Sequence, residues 1–278
     1  MATVLIGASN LDAQDSLPPL RAILPTARSE IRVSWPLIDF VVVADTAFGV
    51  RVFMAPSLRS AQGAEHSAVH DLSLDPMYVH QWTAVAEQGI QQPWPDPRPS
   101  TPMPVAAAMP ALGGGAYLVL GKDPSPNAQA PFLLIYHDSV SHAGWTAYAS
   151  QNQVSQLLIA LDDVASRSRY DPAARTRADS LGRVEGPREV QQVPRLLSMH
   201  RLVFPSSEHQ EGRVWVEYVV GTQGLVEAPT IEIILSDGPG FTDAVRAALG
   251  SAVYDPGRVD GAAVRVLCFQ VFTFRLRY

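Results

Sequence analysis

Residues 211–238 read EGRVWVEYVVGTQGLVEAPTIEIILSDG. Two runs rich in Val, Ile, Tyr and Trp flank GTQG (221–224). β-Branched and aromatic side chains suit a pleated surface and glycines suit a tight reversal, so the stretch predicts two strands and a turn. Side chains alternate along a strand. Val214, Val216, Tyr218 and Val220 therefore share one face, and Trp215, Glu217 and Val219 the other. Downstream, GFTDAVRAALGS (240–251) sets Phe241, Val245 and Leu249 at i, i+4, i+8, one side of a short helix. The closing run RVLCFQVFTFRL (265–276) alternates again, with Phe272, Phe274 and Leu276 toward the helix and Leu267, Phe269 and Val271 away from it. A bulge near Gln270 would shift that parity. We expect three antiparallel strands packed on a helix at about 241–250.

Working outward, LVFP (202–205) precedes these parts and YDPGRVDGAAV (254–264) separates the helix from the last strand. In this order and spacing, residues 191–278 resemble the TonB C-terminal domain family. The resemblance is carried by Gly212, the Gly221–Gly224 turn, the helix before Tyr254–Pro256, Asp260–Gly261 and FTFRL (272–276). It covers under a third of the chain. Phe204–Pro205 matches the aromatic–proline pair that precedes the first strand in the family. The resemblance implies a strand–strand–helix–strand module that binds a short extended peptide of an outer-membrane receptor by adding it to a sheet edge, with backbone hydrogen bonds supplying affinity. Energy transducers of the family also carry a membrane helix and a long Pro-rich spacer. Here QQPWPDPRPSTPMP (91–104) is too short and wrongly placed for that spacer. Reuse of the module in another assembly is expected.

A sheet with one helix on it should turn a polar face outward. The face bearing Trp215, Val219, Leu267, Phe269 and Val271 is apolar. We expect it to be covered, by the N-terminal domain or by a partner chain. With Phe204 and Pro205, these are the candidate partner-binding residues. Trp215→Ala is then expected to weaken docking while leaving the stability of the isolated domain nearly unchanged.

Before this domain, EIRVSWPLIDFVVVADTAFGVRVFM (30–54) predicts two or three strands with a turn near Thr46–Gly49. DPMYVHQWTAVAEQG (75–89) predicts a helix: Asp75 caps, Pro76 suits the first helical position, Val79, Trp82, Val85 and Ala86 line one face, and Gly89 ends it. Short strands follow at 116–121, 131–138 and 144–150. Ser150 and Gln153 then open a second helix with a capping box, and Val154, Leu157, Leu158, Leu161, Val164 and Ala165 form its stripe. Periodicity is lost across 170–190. The division expected is a leader or signal-peptide remnant at 1–25, an α+β domain of no recognised family at 26–169, a linker at 170–190 and the TonB-like domain at 191–278. The fold class is α+β, with a mixed N-terminal sheet and two helices. No internal repeat is visible.

At 278 residues, 47% hydrophobic and 17% charged, the chain can bury a sizeable core. A net charge of −6, with Lys122 the single lysine, argues against nucleic acid, and the sequence shows no Lys/Arg block to hold an anionic membrane surface. The single cysteine, Cys268, excludes an internal disulfide, and its strand context reads as a small buried hydrophobe. Nothing approaches the roughly 20 apolar residues of a spanning helix. His66 and His70, with Glu65, Asp71 and His80 nearby, and His137, Asp138 and His142 invite a metal site, but neither set shows three or four ligands at ligand spacing. Asp138, Ser139 and His142 form a triad only on paper, and LGGGA (112–116) precedes a strand rather than a helix, unlike a phosphate loop. No catalytic, cofactor or metal residue is assigned. We expect a non-enzymatic, exported, periplasmic protein, peripheral to the membrane. Its partners are other polypeptides, as for an extrinsic accessory subunit that docks on and stabilises a bacterial envelope membrane complex. The alternatives are a TonB-type energy-transduction component that binds outer-membrane receptors, and an enzyme or metal-binding protein with its site in the N-terminal domain.

Overall fold

The structure is a computed structural model describing residues 30–58, 70–95, 99–112, 114–125, 130–139, 142–174, 184–186 and 189–276. The leader expected at 1–25, Glu65, His66 and much of the linker expected at 170–190 lie outside the described residues. The chain divides into two units, one spanning Thr26–Arg175 and the other including Thr176–Tyr278. The fold class is α+β.

In the N-terminal unit, β1 (Glu30–Ser34), β2 (Ile38–Asp45), β3 (Gly49–Pro56) and β4 (His70–Leu74) form one antiparallel sheet in sequence order. The β2–β3 reversal follows from its residues. Asp45 Oδ1 accepts from the backbone N–H of Ala47 (2.7 Å) and Phe48 (3.0 Å). Gly49 closes the turn at φ +75°, where a Cβ would lie 2.2 Å from the Leu74 carbonyl oxygen. Arg51, buried on β3, stacks on Phe48 and Phe53 and faces Asp45 (3.9 Å) and Asp71 (3.4 Å), so its charge is compensated.

Helix α1 (Pro76–Gln91) follows, capped by Asp75, whose carboxylate accepts from Met77 N–H (2.9 Å). Two details differ from expectation. Val85 is exposed, because the buried face runs through Val79, Trp82, Thr83, Ala86 and Ile90. At roughly 100° per residue, position 85 lies well off that face. Gly89 does not end the helix: a Cβ there would meet Val105 at 2.6 Å, so the glycine admits a close neighbour.

A second sheet contains β5 (Met103–Pro104) and β6 (Met109–Pro110), both paired to β7 (Ala116–Lys122), then β8 (Phe132–Asp138) and β9 (Gly144–Ala149). Helix α2 (Gln151–Arg167) closes the unit. Its capping box is formed on both sides, and the expected stripe is buried with Ala160 added. The helices pack on each other, with Asp162 accepting from Thr83 Oγ1 (3.1 Å) and paired with His80 Nδ1 (2.7 Å).

Every pairing in both sheets is antiparallel, so the single mixed sheet expected is two antiparallel ones. Turns such as 46–48 are too short for the crossover that a parallel pair needs. A strand meander followed by a helix thus occurs twice over one shared core, although the sequence shows no repeat.

In the C-terminal unit, β11 (Gly212–Val220) lies between β12 (Glu232–Ser236) and β16 (Val266–Phe274), all antiparallel, with α3 (Pro239–Gly250) on one face. Val214, Val216, Tyr218 and Val220 meet Phe241, Val245 and Leu249 as the alternation predicts, with Phe272 and Phe274 beside them. The β11–β16 register is unbroken from Gly212↔Phe274 to Val220↔Val266. The bulge lies instead on β12, where Ile233 and Leu235 oppose Val216 and Trp215 and leave Ile234 unmatched. Two short ladders complete the unit: β10 (Arg195–Ser198) with β13 (Val253–Asp255), and β14 (Arg258–Val259) with β15 (Ala262–Ala263).

Candidate functional site

The seven residues singled out as partner-binding fall into three groups. Phe204 is half-buried and seals one end of the core, its ring edge-on to Phe241 (5.6 Å) and Phe274 (6.3 Å). Pro205, also half-buried, starts the turn that delivers Glu208, since its carbonyl accepts from Glu208 N–H (3.1 Å). The Glu208 carboxylate accepts from Gly240 N–H (2.8 Å) at the start of α3, a helix that no side chain of its own N-cap, Gly238, can cap. Sequence reading missed Glu208, because a cap supplied from 32 residues upstream leaves no local signature. Phe204–Pro205–Glu208 therefore braces the helix against the sheet.

Trp215 and Val219 are fully buried and Leu267 is 4% exposed. These three side chains are buried within the chain itself. Arg213 and Glu217 on the same face are buried as well. The described segment Val184–Gly186 runs beside β16, with Glu185 N–H donating to the Arg265 carbonyl and Leu267 N–H donating to Glu185, both at 2.9 Å. Phe269 and Val271 are half-buried, Phe269 with its ring 6.0 Å from that of Trp215. Among the described residues, the Trp215 indole N–H has no hydrogen-bond partner. A partner reaches Trp215, Val219 or Leu267 only if their cover moves. In the full chain a fully buried indole cannot be removed without leaving a cavity, so there Trp215→Ala costs stability.

The titratable groups are dispersed rather than gathered. Among the described residues, no group of three or more His, Cys, Asp or Glu side chains could hold a metal ion. His70 lies against the Tyr136 ring (4.8 Å), His80 pairs with Asp162, and His137 lies against Tyr117 (5.2 Å). Ser139 Oγ donates to the Gly115 carbonyl (2.8 Å), so its hydroxyl is not directed at an imidazole. Lys122 is buried and its Nζ donates to the Gln92 carbonyl at the end of α1, a cation satisfying an orphan helix carbonyl. Burial lowers its pKa. Burial likewise pushes the Cys268 thiol up to about 12, so it stays protonated and unreactive near neutrality. A small cleft of about 210 Å³ opens in the N-terminal unit between Ile38, Met54, His70 and Trp145. His70 is the one titratable residue on its described lining.

What sequence reading did not single out is a set of exposed apolar residues. All four residues of β10 are exposed, Leu196 by 41% and Leu197 by 55%. Val193 (53%), Val203 (66%) and Leu225 (37%) are also exposed in this unit. The adjacent leucines in PRLLS (194–198) were the available signal, but exposure cannot be read from two apolar letters.

No protein-family model matches this chain, and no curated protein matches it.

Proposed function

We propose that the protein is a non-enzymatic, polypeptide-binding subunit, exported to the periplasm and held extrinsically on a bacterial envelope membrane complex through its partners. The observation that carries this reading is the C-terminal unit. It places a three-stranded antiparallel sheet on one helix in the order β11, β12, α3, β16, with Phe204 seated against Phe241 and Phe274. That is the arrangement the TonB C-terminal-domain resemblance implies for a module that recognises peptides. No helix among the described residues is long and apolar enough to cross a membrane. Attachment through protein partners is compatible with that.

The test is affinity purification of the tagged full chain from detergent-solubilised envelope membranes. Retention of a defined membrane complex at fixed stoichiometry, surviving gel filtration, supports the proposal. A chain that elutes alone, or that fractionates with the cytoplasm, rejects it.

A further inference from the structure

We propose that β10 is a docking strand for an extended segment of another polypeptide that alternates acidic and apolar residues. This inference rests on the polypeptide-binding function above and deepens it by naming the surface and the ligand chemistry. One edge of β10 pairs with β13, and among the described residues no segment pairs with the other. A sheet edge offers unpaired N–H and C=O groups in a row, a geometry that an extended backbone fills and a small molecule does not. Both faces of the strand are exposed as well. The apolar surface continues across the ladder, since Ser198 pairs with Val253 and Val253 bridges to Leu225.

The edge is short, is bulged at Leu197 and is preceded by Pro194, which has no N–H to donate. Backbone pairing alone therefore supplies few bonds, and the exposed leucines must supply contact area. Charge selects the occupant. The Arg195 side chain is 73% exposed and that of Arg258 40% exposed, and both share one carboxylate, Asp255, at 3.8 and 4.0 Å. Arg201, three residues beyond the strand, is exposed and has no ion pair among the described residues. With Asp260 on the β14–β15 turn counted as well, three arginines stand against two carboxylates, so the surplus is positive and a partner segment carrying Asp or Glu beside its apolar residues fits. A second copy of this chain fits worse, because a two-fold contact sets each patch against itself and brings these arginines together.

The test uses the ¹⁵N-labelled full chain and a synthetic nonapeptide of alternating acidic and apolar residues, EVDLEVDLE. The control peptide has lysine at each acidic position. The acidic peptide is expected to shift the amides of Arg195–Ser198 and Leu225, and the lysine peptide to bind at least tenfold more weakly. Leu197→Asp should weaken binding at least tenfold and Arg195→Glu at least fivefold. Both side chains are exposed, so both variants should keep the wild-type spectrum; if one does not, the other decides.

The inference is overturned by shifts confined to another surface, by no shifts at millimolar peptide, or by unchanged affinity in the variants. It is equally overturned by a concentration-dependent dimer that Leu197→Asp dissociates, which would assign the strand to self-association. Membrane-complex retention that persists in Leu197→Asp, with no peptide binding, removes this inference and leaves the accessory-subunit function standing. Peptide binding at β10 with no complex retained does the reverse.

Discussion

Strands β10 and β11 belong to the same unit and draw on similar residues, yet their environments are opposite. RLLS is exposed at all four positions, whereas GRVWVEYVV is buried at all nine, including Arg213 and Glu217. β11 has a neighbour on each edge and a helix on one face, and its other face is covered within the chain. Among the described residues, β10 has a single neighbour, β13. Burial thus follows a strand's place in its sheet more than its composition. Charged side chains, Arg213 and Glu217, are buried on the central strand, while leucine on a peripheral strand stays in water.

The sharpest way to break this comparison is to empty the central strand. Trp215→Ala should destabilise the C-terminal unit by about 3–5 kcal/mol, the usual cost of removing a buried large aromatic. Urea unfolding followed by far-UV circular dichroism would measure it. A loss under about 1 kcal/mol would mean that the outer face is not packed as described.

A second test acts through pH on the face of the same sheet that meets the helix. Burial raises the Cys268 thiol from 9.0 to about 12 and raises Tyr218 and Tyr254, whose hydroxyls lie 2.7 Å apart. For a group whose folded pKa is raised, the stabilisation is full below its unfolded pKa and is lost as pH rises through the folded one. Stability of this unit should therefore hold to about pH 9 and fall toward pH 12, tracked by denaturant midpoints across that window. In the native protein at pH 8, Cys268 should react with a thiol reagent roughly a thousandfold more slowly than a free thiol, following its lower thiolate fraction.

Smaller effects are expected where a local motif, not a core position, is touched. Ser150→Ala removes one half of the α2 capping box and should cost about 1 kcal/mol in the N-terminal unit. Leu197→Asp, on β10, should change stability by less than about 0.5 kcal/mol. The contrast with Trp215→Ala is the quantity to measure. A large loss at Leu197 would show that the strand is a structural part of the unit rather than an open surface.

Much of the fold was legible because its signals are local. Alternation in 213–220 predicted which residues of β11 meet the helix, Ser150 and Gln153 predicted the start of α2, and Asp75–Pro76 predicted the start of α1. The errors have a different origin. Val85 looked like a core residue because it is apolar, and Gly89 looked like a stop because glycine often is one. Each is explained by a partner or an orientation outside its own segment. The candidate site was less legible still. Phe204 and Pro205 were found through a pattern, but Glu208, which joins them to the helix, acts across 32 residues.

By itself, the sequence determined strand faces, helix caps and the α+β class, because each rests on side-chain periodicity or on a hydrogen bond spanning a few residues. Only the tertiary structure decided that the N-terminal strands divide into two antiparallel sheets, that the Trp215 face is covered, and that β10 is left open. Those outcomes depend on which distant segments become neighbours, and the burial of a side chain is a property of its neighbours rather than of its own letter.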